Sequence, residues 1–211
     1  MSIICPSVTP TTSDPHEYRD QIERIAPFAQ RIQIDLMDGQ FAPTRSLNPV
    51  QVWWPEGIIA DIHLMFQRPI EHIETLVSLR PNLVIIHAEA EGDLLGILEH
   101  LKACGLKAGV CLLQTTQPES VRELIAAADH VLIFSGSLGR FGGTVDESQL
   151  AKIPAIKMIN PNAEIGWDGG ANADNVALLA KHGVDVINVG GAIQKASDPD
   201  VAYATLVSSI S

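Results

Sequence analysis

Ile32-Gln33-Ile34-Asp35-Leu36-Met37-Asp38-Gly39 decides how the rest of the chain is read. Ile32, Ile34 and Leu36 alternate with Gln33 and Asp35, the period of a β-strand whose two faces differ. Asp38-Gly39 then supplies a turn. A carboxylate near the end of a buried strand is costly unless it is paired or ligating. Asp35 is therefore either a satisfied structural acid or a working one, and the strand alone leaves both open.

Seven further apolar, β-rich runs flank this one, at 3–6, 59–63, 83–87, 108–112, 130–134, 163–167 and 186–189. Amphipathic stretches lie between most of them, at 18–28, 69–79, 94–103, 118–127 and 172–182. Pro69 and Pro118 stand where a first helical turn tolerates proline, and Gly105 and Gly183 follow helical patterns as C-terminal caps do. Strand starts recur roughly every 22–33 residues, the length of one strand-helix unit. Eight such units in 211 residues predict an α/β fold, a single compact (β/α)8 TIM barrel spanning 1–211. An open doubly wound sheet is the alternative, and it usually has fewer strands and a clear switch point.

Apolar residues make up 46% of the chain and charged ones 18%, which excludes a disordered chain. The net charge of −11 and pI near 4.9 make nucleic acid and anionic membrane surfaces poor partners. No run reaches the ~18 apolar residues of a membrane span, and no basic, apolar leader opens the sequence. Cys5, Cys104 and Cys111 are odd in number and lack metal-type spacing, so free thiols in a reducing cytoplasm are expected.

In a barrel, the C-terminal strand ends converge on one mouth. Those ends are Ser7, Asp35, His63, His87, Leu113, Ser135, Asp168 and Gly190. Glycine pairs follow in the last three units: Gly142-Gly143, Gly169-Gly170 and Gly190-Gly191. Glycine lets backbone N–H groups approach an anion closely, and this fold commonly holds phosphate after its seventh and eighth strands. An acidic chain can thus bind an anionic ligand. Singly, each feature has a plainer reading. His63 reads as a satisfied core histidine, and His87 and Glu89 as residues of a surface loop. Met37 and Met65 read as packing residues, and Cys5 and Cys111 as small apolar groups lining the barrel. The convergence of Asp35, His63 and Asp168 outweighs these, because such groups rarely share one mouth by chance.

These residues resemble the ribulose-phosphate 3-epimerase family over nearly the whole chain. The resemblance is carried by Cys5-Pro6-Ser7, by Ile34-Asp35-Leu36-Met37-Asp38-Gly39-Gln40-Phe41-Ala42-Pro43 and by Asp61-Ile62-His63-Leu64-Met65. It continues through His87-Ala88-Glu89-Ala90, Gly105-Leu106-Lys107-Ala108-Gly109, Phe141-Gly142-Gly143, Asp168-Gly169-Gly170 and Gly190-Gly191-Ala192-Ile193. The resemblance implies a barrel of the ribulose-phosphate-binding type acting on a phosphorylated ketose. Its expected reaction interconverts ribulose 5-phosphate and xylulose 5-phosphate by moving the C3 proton through an enediolate. It implies Asp35 and Asp168 as the acid/base pair. It also implies a divalent metal, zinc in the family, held by Asp35, His63, Asp168 and a fourth ligand. Expected substrate contacts are Ser7, Met37, His63, Met65, His87, Arg140, Phe141, Gly142, Gly143, Asp168, Gly169, Gly170, Gly190 and Gly191.

The departures cluster at the mouth. Gln33 stands where the family has a metal histidine, and Gly139-Arg140 where it has proline-glycine. Thr144 replaces a glutamine, Ser135 a third site methionine, and Leu113-Gln114 a polar-proline pair. An amide oxygen is a poorer zinc ligand than imidazole. Weak or absent zinc is therefore expected, with Mn²⁺ or Mg²⁺ held through Asp35, Asp168 and the amide oxygen as the alternative. A non-catalytic phosphosugar-binding barrel and a sugar-phosphate epimerase or isomerase of another substrate are the rival readings. A homo-oligomer is compatible with the sequence.

Overall fold

The computed structural model describes residues 2–139 and 143–210. Eight parallel strands close into a barrel in sequence order: β1 (Ile3–Val8), β2 (Arg31–Met37), β3 (Ile59–Met65), β4 (Leu83–His87), β5 (Lys107–Leu112), β6 (His130–Phe134), β7 (Glu164–Asp168) and β8 (Val186–Val189). The ring shuts where β1 pairs with β8, Cys5 lying opposite Asn188. Around it run α1 (Pro15–Ile25), α2 (Ile73–Leu79), α3 (Leu94–Ala103), α4 (Arg122–Ala127), α5 (Lys152–Ile159), α6 (Val176–Lys181), α7 (Gly191–Gln194) and α8 (Pro199–Ser209). Between β2 and β3 the only helical element among the described residues is a 3-10 turn at Pro49–Gln51. The fold is a (β/α)8 barrel, as expected. No helix is long and apolar enough to cross a membrane among the described residues.

Local sequence explains where the helices begin. Asp14 and Asp198 cap α1 and α8 by accepting backbone N–H groups, each with proline next. Arg68 and Gln117 make no such side-chain bond. The stretches 69–79 and 118–127 accordingly do not form single α-helices. Each opens with a 3-10 turn, Pro69–His72 or Pro118–Val121, whose tighter bonds take up otherwise idle backbone groups. In 172–182 the asparagines delay the helix to Val176. Asn175 Oδ1 accepts from Asn172 N–H, and Asn172 Oδ1 from Asp174 N–H.

Both faces of β2 are buried. Its alternation therefore separates two interiors rather than core from solvent. Ile32, Ile34 and Leu36 pack into the main core between strands and helices, while Gln33 and Asp35 join polar groups inside the ring. At the barrel floor, Arg31 grips Glu164 through two N–H groups at 2.9 and 2.8 Å and Asp61 at 2.6 Å. His130 and Asn82 complete this network on Glu164 and Asp61. At the other end of the ring lie Asp35, His63, His87 and Asp168.

Candidate active site

Asp35 and Asp168 face each other across one amide. Gln33 Nε2 donates to Asp35 Oδ1 at 2.8 Å and to Asp168 Oδ2 at 2.7 Å. Thr9 donates its hydroxyl to Asp35 Oδ2 at 2.6 Å. His63 Nδ1 lies 3.1 Å from Asp35 Oδ1 and 3.5 Å from Asp168 Oδ2. Burial pushes the Asp35 carboxyl above its ordinary value and the charge of Asp168 adds to this, while His63 and Thr9 offset only part. Asp35 thus keeps its proton to a higher pH than an exposed aspartic acid.

Beneath the pair, His63 turns its other nitrogen inward. His63 Nε2 and His87 Nε2 are 2.9 Å apart, and Cys111 completes a fully buried trio. Burial alone would lower both imidazoles, but the thiol and the neighbouring carboxylates outweigh it and raise them. Burial would likewise raise the Cys111 thiol, yet the two histidines hold it below its usual value. His87 is therefore neither a loop residue nor exposed.

A cavity of about 240 Å³ opens above the carboxylates. Asp35, Asp168, Ser7, Thr9 and Asn188 are among its polar lining, with Ser137 and Asn172. Ser7 Oγ is buried without a partner among the described residues, so its hydroxyl is available to a bound ligand. Gly143, Gly169, Gly170, Gly190 and Gly191 form another part of the wall, with Lys195 beside them. Gly169 has φ +112° and Gly170 φ +76°; a Cβ on the first would meet Gly136 N at 2.1 Å, and on the second Val145 N at 2.5 Å. Only glycine lets these loops close so tightly while leaving their backbone uncovered.

The expected residues separate into three groups. Ser7, Asp35, Met65, Asp168 and the described glycines line the cavity. His63, His87 and Met37 do not. Met37 packs with Ala42 and Met65, and the His87 ring lies tilted against Phe41 at 4.6 Å between ring centres. Arg140, Phe141 and Gly142 lie outside the described residues. Thr9, Asn188 and Lys195 were not anticipated. The alternation of Ser7, near the end of β1, with Thr9 just past it and the polar Asn188 inside an apolar strand were the signals for the first two.

The donors around Asp35 and Asp168 do not fit zinc. Two carboxylates and one imidazole nitrogen lie within 4.8 Å of one another, but the fourth neighbour presents N–H groups, not a lone pair. Turning the amide over would aim a third oxygen at two acidic groups. With two N–H groups facing two carboxylates, Gln33 does by hydrogen bonding what a cation would do by charge. Gln33→His is expected to raise zinc affinity at this pair by at least ~10–100-fold, because an imidazole donor replaces an opposed N–H. Chelator competition, with zinc counted per chain, measures the gain; unchanged affinity would contradict this account of the amide.

Fold and mouth together define a (β/α)8-barrel enzyme with a carboxylate pair beside a glycine-lined recess. The chain belongs to the ribulose-phosphate 3-epimerase family, whose sequence model matches residues 3–194. It is 32% identical over 186 residues to "Ribulose-phosphate 3-epimerase" of Helicobacter pylori strain J99, covering 84% of this chain and 85% of the relative. The Bacillus subtilis protein of the same name is 28% identical over 186 residues, covering 84% and 86%. Among solved structures, one titled "Crystal structure of KGPDC from Streptococcus mutans" superposes with a TM-score of 0.72 at 12% identity, covering 100% of this chain and 97% of that one. A 3-hexulose-6-phosphate synthase superposes with a TM-score of 0.67 at 16% identity over 99% and 100%. These two share the fold.

Proposed function

We propose that the protein epimerises a phosphorylated ketose at C3, interconverting ribulose 5-phosphate and xylulose 5-phosphate. The observation that carries this is the carboxylate pair: two acids on strands across the ring, both lining one cavity. One ionised carboxylate takes the C3 proton. The electron pair of that C–H bond forms the C2–C3 double bond and moves charge onto the C2 oxygen, giving an enediolate. The other carboxyl, protonated beforehand, returns a proton to the opposite face of C3 as the C2 carbonyl reforms. Burial and the neighbouring charge keep Asp35 available as the protonated partner. Ser7 supplies a hydroxyl donor to the developing oxyanion. Gln33 and Thr9 fix the carboxylates and leave one Asp168 oxygen for substrate, and Asp35 delivers its proton from Oδ2 when the Thr9 hydroxyl turns away. The Gln33 N–H groups stand between the two carboxylates, and the proton transfers fall to Asp35 and Asp168.

The glycine-lined recess and Lys195 support phosphate recognition. Gly170→Ala is expected to raise KM for a phosphorylated ketose about tenfold, since a strained left-handed alanine costs roughly 1–2 kcal/mol before its clash with Val145 N is relieved. Steady-state kinetics and circular dichroism check this; unchanged KM in folded protein would move the phosphate elsewhere. One observation favours a non-catalytic sugar-phosphate binder: both carboxylates already accept hydrogen bonds from Gln33. Incubation with ribulose 5-phosphate in deuterated water separates the readings. Deuterium at C3 with xylulose 5-phosphate as product supports the epimerase; binding without exchange supports the binder.

A further inference from the structure

We propose that His63, His87 and Cys111 form a zinc site of their own, buried in the barrel beneath the carboxylate pair. The three residues stand on the neighbouring strands β3, β4 and β5, with His87 and Cys111 directly opposite in register. All are fully buried, and one donor atom from each lies within 4.8 Å of the others.

The orientation of the two rings makes the case. His63 Nδ1 faces the carboxylates of Asp35 and Asp168, which call for an N–H there. His87 Nδ1 lies 3.4 Å from Glu89 Oε2, and both atoms are buried without a hydrogen-bond partner among the described residues. Glu89 is held in place by Leu113 N–H and the Thr116 hydroxyl on its other oxygen. His63 Nε2 and His87 Nε2 face each other only 2.9 Å apart, a contact that one shared proton bridges in the metal-free chain. A cation next to the Cys111 sulfur would take the place of that proton and receive both nitrogen lone pairs. It also leaves each imidazole backed by a carboxylate, the arrangement that orients metal-bound histidines.

The donor chemistry selects the ion. Two imidazoles and a thiolate suit zinc and do not suit Mg²⁺ or Ca²⁺. Two nitrogens on tetrahedral zinc at ~2.0–2.1 Å stand about 3.3 Å apart, so the rings need part by only a few tenths of an ångström. Leu83, Ile85, Leu132 and Phe134 pack around the thiol, which excludes the water a harder ion would retain. Neither His87 nor Cys111 lines the substrate cavity, and His63 alone connects this site to the carboxylate pair.

Metal analysis of the purified full chain, followed by replacement with Co²⁺, tests the proposal. One zinc per chain is expected, with a sulfur-to-cobalt charge-transfer band in the near ultraviolet. Cys111→Ala should abolish the band, and Cys111→Ala and His87→Ala should each weaken zinc binding at least tenfold in protein with an unchanged circular dichroism spectrum. The cobalt spectrum of the unmodified chain decides the matter if either variant fails to fold. Metal-free protein that takes up no added zinc would overturn the proposal. So would bound metal without the sulfur band, which would place the ion on Asp35 and Asp168. Loss of C3 exchange with the band intact would overturn only the proposed function.

Discussion

Asp35→Asn and Asp168→Asn are each expected to lower C3 epimerisation by roughly 10²–10⁴-fold or more, the usual contribution of a positioned acid or base. Each substitution keeps the side-chain shape and removes the ability to exchange a proton. The two should not act alike in every readout. Asp168→Asn leaves Asp35 without the neighbouring charge that helps raise its carboxyl, so the remaining acid should titrate lower. Asp35→Asn keeps an oxygen for the Thr9 hydroxyl, but the new side-chain NH2 can then meet the NH2 of Gln33 and disturb the bridge. Deuterium incorporation at C3 in each variant, with circular dichroism as the folding control, measures the effect. Turnover near the unmodified rate in either variant would end the two-acid mechanism.

The periodicity of hydrophobic residues made the barrel readable. β4, β6 and β8 begin and end where the apolar runs do, since a strand buried on both faces has little freedom in its apolar content. Helix starts were less readable at Pro69, Pro118 and Asn172, because capping depends on whether one side chain reaches one N–H group. The convergence of Asp35, His63 and Asp168 followed from strand ends alone. The sense of the Gln33 amide did not, since it is set by two carboxylates contributed by different strands. Cys111 read as a small apolar lining residue, and it is buried as expected. Its contact with two histidines depends on register between β4 and β5, which hydrophobic pattern does not specify to the residue.

The same inward-facing positions at the other end of the ring carry the stability prediction. Arg31→Met is expected to destabilise the protein by about 3–5 kcal/mol, the loss found when one member of a buried ionic cluster is removed and its partners are stranded. Arg31 and Asp61 have side chains only 12% and 3% exposed, so little water is available to replace the guanidinium. Burial would raise the Glu164 carboxyl, but hydrogen bonds from Arg31 and His130 hold it well below the usual range. Asp61 goes the other way: burial raises it despite Arg31. A depressed carboxyl stabilises the fold above its unfolded value, roughly pH 4.3, and that stability is lost as pH falls through the lower folded value. Removing Arg31 lets Glu164 rise and Asp61 rise further, so the variant should regain stability on acidification relative to the unmodified chain. The deficit should be largest near neutral pH and shrink below about pH 4, where the stranded carboxylates become protonated. Urea denaturation across this range checks both parts. An unchanged midpoint, or a deficit that does not vary with pH, would show that the floor cluster does not hold the barrel together.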